Sequence, residues 1–222
     1  MTDDQRLLKE DAVECVASLR ELVPISASTR VLDFGCGWGN VARLLAPEVG
    51  ELFLWDDAPR MRLLALEATT GRPNVRLLDL TTPVEGTEGR FDLILANSVG
   101  QFMTADELRG WLRRWRGMLA PDGRLVLSDL VPPDYPALAD LLTLFRFSAS
   151  KGFLFRALWD AARVMPLYWR TRNARPLLRT SRQELATWGL EAGLTAPDFP
   201  PNLTCFKQRI TAVYRRADGR SR

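Results

Sequence analysis

A glycine-rich loop preceded by an acidic side chain is the segment of this chain whose residue types best suit ligand binding. It contains Asp33, Gly35, Gly37 and Gly39, directly after a short apolar run and before a helical pattern. Glycines allow the backbone to approach a ligand closely, and the acidic side chain suits a cationic group better than a pyrophosphate. Asn40 follows Gly39 directly, so the spacing is Gly-x-Gly-x-Gly rather than the Gly-x-Gly-x-x-Gly of dinucleotide-binding loops. The loop therefore disfavours a nicotinamide-dependent oxidoreductase.

Further polar side chains follow the next three apolar runs, at the points where those runs end. Asp56 and Asp57 end the second run, Asp79 ends the third and Asn97 ends the fourth. The carboxyl ends of parallel strands meet at one edge of a sheet, where ligands bind, so we expect these side chains to lie along one edge. A carboxylate accepts two hydrogen bonds, which suits Asp56 to a diol. An Asp after a strand is also a common turn former, and Asp57 is open to that interpretation.

In type and order these residues resemble the motifs of the class I S-adenosylmethionine-dependent methyltransferases. That family has an acidic residue followed by Gly-x-Gly-x-Gly after its first strand, as at Asp33 to Gly39. The run from Met118 to Leu125 is similar to the family's turn before its fifth strand. The likeness covers about residues 29–129, and more loosely the last two strands. It implies S-adenosylmethionine as cofactor, S-adenosylhomocysteine as product, and no metal.

The resemblance also implies a role for each residue at a strand end. Asp33 would offset the positive charge of the cofactor, and Asp56, with Asp57 beside it, would hold the ribose hydroxyls. Asp79, followed by Leu80, would contact the adenine. Asn97 would lie near the methionine part of the cofactor and the methyl acceptor. The cofactor-binding residues expected from the resemblance are thus Asp33, Gly35, Gly37, Gly39, Asp56, Asp57, Asp79, Leu80 and Asn97.

Strands and helices alternate along most of the chain, and this order predicts the fold. Thr104 with Glu107 and Ser181 with Glu184 have the spacing of N-terminal capping boxes, which begin two of the helices. The predicted strands include residues 31–34, 51–55, 75–78, 91–96, 124–127 and 210–215, and the predicted helices include residues 3–22, 40–47, 61–69, 104–119 and 181–193. We therefore predict an α/β fold with a doubly wound, mostly parallel, seven-stranded Rossmann-like sheet.

The pattern changes after the fifth predicted strand, where only helical signals remain for about 45 residues. We expect a single domain over residues 1–222, with a cofactor-binding core at residues 24–133. Residues 134–180 predict an inserted helical cap. Residues 181–217 predict a C-terminal helix and the final strands.

Composition excludes several kinds of chemistry. The 222 residues include no histidine, the commonest general base and metal ligand, so serine–histidine–acid hydrolysis is excluded and transition-metal chemistry is disfavoured. The three cysteines are scattered, which argues against a zinc knuckle or a disulfide framework. No apolar run is long enough for a membrane span, and the N-terminus lacks the pattern of a secretory signal. We expect a cytoplasmic protein. Arginine far outnumbers lysine, which favours a GC-rich, bacterial source.

The charge of the chain is unevenly distributed, and this bears on the methyl acceptor. Residues 1–130 contain 15 basic and 20 acidic side chains, whereas residues 131–222 contain 15 basic and 7 acidic ones. The predicted cap is therefore basic, and it is also rich in aromatic residues. It is interpreted either as a packed cap with a solvated basic face or as a lid for an anionic or lipid-like acceptor, with peripheral contact to an anionic membrane.

The sequence nominates no catalytic residue. Asp129, Tyr135, Tyr168 and Gln101 are polar groups expected near the mouth of the site, and each is interpreted first as structural. The predicted function is transfer of a methyl group from S-adenosylmethionine to an O, N or C atom of a small or lipid-like acceptor. Alternatives are a non-catalytic S-adenosylmethionine-binding protein and a nucleic-acid methyltransferase. The second is disfavoured because the segment beginning at Asn97 lacks the Pro-Pro-aromatic run of the base-amino methyltransferases. The oligomeric state stays open.

Overall fold

A single six-stranded sheet organises the protein in the computed structural model, which describes residues 6–81, 86–136, 139–152 and 176–217. The strand order is β3-β2-β1-β4-β5-β6, with β1 to β5 parallel and β6 antiparallel to β5. The strands are β1 (Arg30–Phe34), β2 (Glu51–Trp55), β3 (Val75–Leu77), β4 (Phe91–Asn97), β5 (Leu119–Leu130) and β6 (Ile210–Arg215). This order confirms the predicted α/β, mostly parallel, Rossmann-like architecture.

Helices cover both faces of the sheet. They are α1 (Arg6–Leu22), α2 (Asn40–Leu45), α3 (Pro59–Ala68), α4 (Ala105–Met118), α5 (Ala139–Ser150) and α6 (Arg182–Glu191), with a 3-10 turn at Gly100–Phe102. Both predicted capping boxes are present, at the starts of α4 and α6. Alternate residues of β1 face opposite sides: Val31 packs in a core cluster with α1 and α2, and Leu32 packs in a second cluster with α4. Because both faces of β1 are buried, its residues are mostly apolar.

The prediction of seven strands was wrong for the part of the chain that the structure describes, which forms six. The segment after α6 pairs with β6 and the residue that follows it through isolated antiparallel bridges, at Leu194 with Arg216 and at Asp198 with Val213. Pro197 lies between these bridges and has no backbone N–H to donate. A continuous ladder therefore does not form where a seventh strand was expected.

The fifth strand begins earlier than predicted. Leu119 already pairs with Phe91, whereas Arg124 pairs with Leu93, so the segment between them bulges out of the ladder. Gly123 is required in this bulge because a Cβ there would lie 2.6 Å from the carbonyl oxygen of Phe91. The predicted turn before the strand is thus a bulge within it.

The helical cap remains a prediction over most of its length. Of residues 134–180, those at 137–138 and 153–175 lie outside the described residues, and Tyr168 is among them. The described part contains α5, and the chain then rejoins the sheet edge. There Leu178 donates its backbone N–H to Gln101, and Thr180 donates its own to Val131.

Candidate functional site

The glycine loop after β1 is held against the end of β2 by backbone hydrogen bonds. The amides of Gly35 and Cys36 both donate to the carbonyl oxygen of Trp55, over 2.7 and 3.0 Å. Gly35, Gly37 and Gly39 all have left-handed backbones, with φ of 79°, 50° and 74°. Non-glycine residues seldom adopt this conformation, so the spacing of the glycines is a requirement of the loop.

The three glycines differ in what surrounds them. A Cβ at Gly35 would lie 2.8 Å from Cγ2 of Val99, and one at Gly39 would lie 2.7 Å from Cα of Ala65 in α3. A Cβ at Gly37 would have no neighbour within 4 Å. Gly35 and Gly39 therefore permit close packing of the protein on itself, whereas Gly37 borders open space that a ligand can fill.

Asp33 is a buried carboxylate with one unpaired oxygen near the end of β1. Its residue is 3% exposed, and its Oδ2 atom has no hydrogen-bond partner. Burial, with a smaller contribution from the charge of Asp56, raises the pKa of Asp33 to about 7. A buried polar atom without a partner is costly, and a cationic group placed beside it would remove that cost. This observation fits the ammonium or sulfonium of S-adenosylmethionine.

Asp56 links the loops that follow β1 and β2. Its Oδ2 accepts the backbone N–H of Gly37 over 3.0 Å, and its Oδ1 accepts that of Ala58 over 2.9 Å. Each carboxylate oxygen can accept more than one hydrogen bond, so the half-exposed Asp56 retains capacity for the hydroxyls of a diol. Asp57, the next residue, is exposed to solvent.

Asp79 lies on the same edge of the sheet, beyond β3, and is exposed. Its Oδ1 accepts the backbone N–H and the hydroxyl of Thr81, over 3.0 and 2.8 Å, and lies 3.6 Å from Nη1 of Arg62. The hydrogen bonds from Thr81, more than the charge of Arg62, lower the pKa of Asp79. Leu80 is buried in the core, so its side chain holds the loop in place.

Asn97 lies at the other side of the glycine loop, at the end of β4, where its Oδ1 accepts the hydroxyl of Ser128. The structure thus places all nine predicted cofactor-binding residues in loops or strand ends at the carboxyl edge of the parallel strands. It directly joins Asp56 to Gly37, whereas Asp79 follows the outer strand β3 and Asn97 ends β4, on the other side of β1.

A polar network beside Asn97 was missed by the sequence interpretation. Its centre is Arg209, just before β6, which donates to Asp129, Gln101 and Asp140. Tyr135 joins through its hydroxyl, which donates to Asp140 over 2.6 Å. The network therefore unites three of the four polar groups expected near the mouth of the site.

The position of Arg209 directly before the last strand is the sequence feature that could have predicted its place near the site. A residue that precedes a strand antiparallel to β5 must lie at the carboxyl edge of the parallel strands. That inference requires knowing the direction and place of β6. The two acidic partners raise the pKa of the Arg209 guanidinium, although burial alone would lower it.

The residues that the structure describes contain no group of three or more Cys, Asp or Glu side chains placed to hold a metal ion. They contain no helix that is both long and apolar enough to cross a membrane.

Comparison with known proteins finds a family similar to the central part of the chain. Residues 32–125 match the family described as a methyltransferase domain. The biotin biosynthesis bifunctional protein BioCD of Bordetella avium (strain 197N) is 29% identical over 152 residues, which are 59% of this chain and 32% of BioCD. The chain thus corresponds to about a third of the length of that relative.

Solved structures share the fold at low sequence identity. The magnesium protoporphyrin IX methyltransferase ChlM from Synechocystis PCC 6803, with bound S-adenosylhomocysteine, is 16% identical, with a TM-score of 0.61 over 96% of this chain and 85% of ChlM. The N-methyltransferase NodS from Bradyrhizobium japonicum WM9, also with bound S-adenosylhomocysteine, is 18% identical, with a TM-score of 0.60 over 97% of this chain and 90% of NodS. In its left-handed glycine loop and its sheet order the chain shares the fold of these S-adenosylhomocysteine-bound methyltransferases, and residues 32–125 match the methyltransferase-domain family.

Proposed function

We propose that this protein transfers the methyl group of S-adenosylmethionine to a nucleophilic atom of a small organic acceptor. The observation that carries the proposal is the unpaired, buried Oδ2 of Asp33, beside a glycine loop that borders open space at Gly37. A ligand without a hydrogen-bond donor at this point would leave that oxygen unpaired, and a neutral donor would leave the charge of the carboxylate uncompensated. A cofactor that is cationic at both its ammonium and its sulfonium compensates it.

Each part of the cofactor has a corresponding group at the carboxyl edge of the sheet. Asp33 would face the charged amino-acid part, and the open side of Gly37 would admit the chain that follows it. Asp56 would accept the ribose hydroxyls through the lone pairs that the backbone leaves free. Asp79, exposed beyond β3, would accept a hydrogen bond from the adenine amino group.

When bound, S-adenosylmethionine supplies an electrophilic methyl carbon: the acceptor's lone pair forms the new bond, the carbon–sulfur bond breaks, and its electrons remain on sulfur. Two polar groups near the carboxyl ends of β4 and β5 are already engaged. Asp129 accepts two hydrogen bonds on each carboxylate oxygen. Burial and the hydrogen bond to Asp140 raise the pKa of Tyr135, which stays protonated. The chain is therefore expected to accelerate transfer mainly by holding the nucleophile in line with the methyl group, and the acceptor's proton passes to solvent.

An apolar or planar acceptor suits the exposed side chains at this edge. Trp38 in the glycine loop is 41% exposed, and Phe102 in the 3-10 turn after β4 is 70% exposed. Small-molecule chemistry also appears in the names of BioCD and ChlM, which supports a small acceptor for this chain.

Contact with a membrane is a separate part of the proposal, because the basic cap that suggested it lies largely at residues 153–175. Flotation with liposomes of anionic and of neutral lipids at low salt tests it. Binding to anionic liposomes alone would support a lipid-like acceptor. Failure of the protein to float with either kind of liposome would contradict membrane contact.

Calorimetric titration with S-adenosylhomocysteine tests the proposed function first. Micromolar binding by wild type is expected, followed by transfer of labelled methyl to a panel of phenols, amines, carboxylic acids and lipids. Asp122→Ala serves as a control, because Asp122 is exposed in the β5 bulge at the opposite edge of the sheet. Absence of binding would refute the proposal. Binding without transfer to any acceptor would favour the non-catalytic alternative.

A further inference from the structure

Arg209 reaches across the carboxyl edge of the sheet, beside the proposed cofactor site. Its Nη1 donates to Oδ2 of Asp129 over 2.8 Å and to Oε1 of Gln101 over 3.0 Å. Its Nη2 donates to Oδ2 of Asp140 over 2.7 Å. The rings of Tyr135 and Phe206 lie 5.6 and 4.5 Å from the guanidinium carbon. With 8% of the residue exposed and two carboxylates beside it, this arginine is already neutralised and is not offered to an anionic acceptor.

The two side chains that accept from Nη1, Asp129 and Gln101, also form hydrogen bonds with Ser98. The hydroxyl of Ser98 donates to the same Oδ2 of Asp129 over 2.8 Å. The carbonyl oxygen of Ser98 accepts from Nε2 of Gln101 over 3.3 Å. One nitrogen of Arg209 therefore orients the partners of both the side chain and the carbonyl of Ser98.

Ser98 needs such partners because its backbone is left-handed, with φ of 57°. This conformation is unfavourable for a non-glycine residue, and it persists where the surroundings fix it. If Asp129 and Gln101 lost their common donor, Ser98 would keep the bond from its own N–H to the carbonyl oxygen of Ser128, but the partners of its hydroxyl and its carbonyl would be held less firmly. The strained backbone would then shift towards an ordinary conformation.

The conformation of Ser98 affects the glycine loop through the next residue. Val99 packs so closely on Gly35 that a Cβ there would lie 2.8 Å from Cγ2 of Val99. A change at Ser98 would move Val99 off the first glycine of the loop. Asn97, expected to lie near the methionine part of the cofactor, directly precedes Ser98.

We propose that Arg209 is a positioning residue for the amino-acid side of the cofactor site. It acts through Asp129 and Gln101 on Ser98 and Val99, and so on the glycine loop. The adenine side, at Asp79, lies beyond β1 and β2 on the far part of the sheet and is independent of Arg209. The inference rests on the proposed function.

Comparison of two ligands tests this role. S-Adenosylhomocysteine contains the amino-acid part, and 5′-methylthioadenosine is the same thionucleoside without the ammonium and carboxylate. Calorimetry on Arg209→Met should show about tenfold weaker binding of S-adenosylhomocysteine and little change for 5′-methylthioadenosine. Arg209→Lys should recover part of the loss, since it restores a cationic donor. Arg124→Met is the matched control: this arginine belongs to the same β5–β6 pair of strands but donates to Leu22 at the opposite edge.

The outcomes separate the positioning role from general destabilisation. Equal weakening of both ligands by Arg209→Met, or a similar pattern for Arg124→Met, would overturn the proposal. If Arg209→Met does not fold, Gln101→Leu removes the link to the Ser98 carbonyl and one of the three acceptors of Arg209, and it should weaken S-adenosylhomocysteine more than 5′-methylthioadenosine, by a smaller factor than Arg209→Met. Failure of wild type to bind either ligand would refute the proposed function itself, and this role with it. If wild type binds both ligands and the folded variants keep the wild-type ratio of the two affinities, only the positioning role is refuted.

Discussion

Ser98 donates its hydroxyl to Asp129 over 2.8 Å, and both residues have left-handed backbones, with φ of 57° and 67°. They are the non-glycine residues with positive φ among those that the structure describes. They lie at the ends of the neighbouring strands β4 and β5, where ligands bind in folds of this kind. Two strained residues that hold each other in place are typical of a site in which precise backbone position matters.

Substitution of Ser98 should separate its hydrogen bond from its backbone strain. Ser98→Ala removes the hydroxyl and keeps a side chain at positive φ, so we expect a loss of about 1–3 kcal/mol in the free energy of unfolding. Ser98→Gly also loses the hydroxyl but accepts the left-handed backbone, so it should be about 1 kcal/mol more stable than Ser98→Ala. Urea unfolding followed by circular dichroism measures both. A less stable glycine variant would contradict the role assigned to strain.

Two glycines of the loop should respond differently to alanine. Gly39→Ala places a Cβ 2.7 Å from Cα of Ala65, so we expect a fall in the free energy of unfolding of about 3 kcal/mol or more. Gly37→Ala has open space around its Cβ and should cost only the left-handed conformation, about 1–2 kcal/mol. Ligand binding should respond in the opposite order: Gly37→Ala should lower the affinity for S-adenosylhomocysteine by more than its loss of stability explains. Similar binding by wild type and a folded Gly37→Ala variant would show that the ligand does not approach there.

Removal of the Asp56 carboxylate should weaken cofactor binding. Asp56→Ala loses the acceptor for the ribose hydroxyls and the two hydrogen bonds that tie Gly37 and Ala58. We expect S-adenosylhomocysteine to bind about 10–100-fold more weakly, corresponding to about 1–3 kcal/mol. Calorimetry beside the Asp122→Ala control measures the change. Wild-type affinity in Asp56→Ala would mean that this residue is only a turn former.

The buried Asp33 should make the free protein less stable as pH rises. Its pKa is about 7 in the native state, against an ordinary value of 3.8, so between these values the native protein holds a proton that the unfolded chain has released. Rising pH therefore lowers stability through this window, and the loss is complete above about pH 7. Without cofactor, Asp33→Asn should exceed wild type by up to about 4 kcal/mol at pH 8, with the advantage vanishing near pH 4. Urea titrations across this range give the difference, and an advantage independent of pH would contradict the role of ionisation.

Cofactor binding should release the proton of Asp33. The ammonium of S-adenosylhomocysteine, whose sulfur is an uncharged thioether, favours the ionised carboxylate and lowers its pKa. Near pH 6 the binding enthalpy of S-adenosylhomocysteine should therefore depend on the ionisation enthalpy of the buffer, and affinity should rise towards pH 8. Asp33→Asn should remove the buffer dependence. Buffer-independent heats in wild type would place the cationic group elsewhere.

The sequence by itself determined the alternation of strands and helices, the position of the glycine loop and the polar residues at the strand ends. These features depend on interactions within a few residues. The reciprocal bonds between Thr104 and Glu107 span one helical turn, and the apolar run of β1 is visible within a few consecutive residues. Such short-range rules can be applied without knowing where distant segments lie.

Only the tertiary structure decided which of the strand-end groups are already satisfied. It leaves Oδ2 of Asp33 unpaired, engages both oxygens of Asp56 with backbone amides, and fills the acceptor capacity of Asp129. Asp129 meets Arg209 across 80 positions of sequence because β6 runs antiparallel beside β5. The number of strands was likewise decided by whether residues 194–198 could pair continuously with β6. Contacts of this kind depend on the position and direction of whole elements, which the residue pattern around each side chain does not specify.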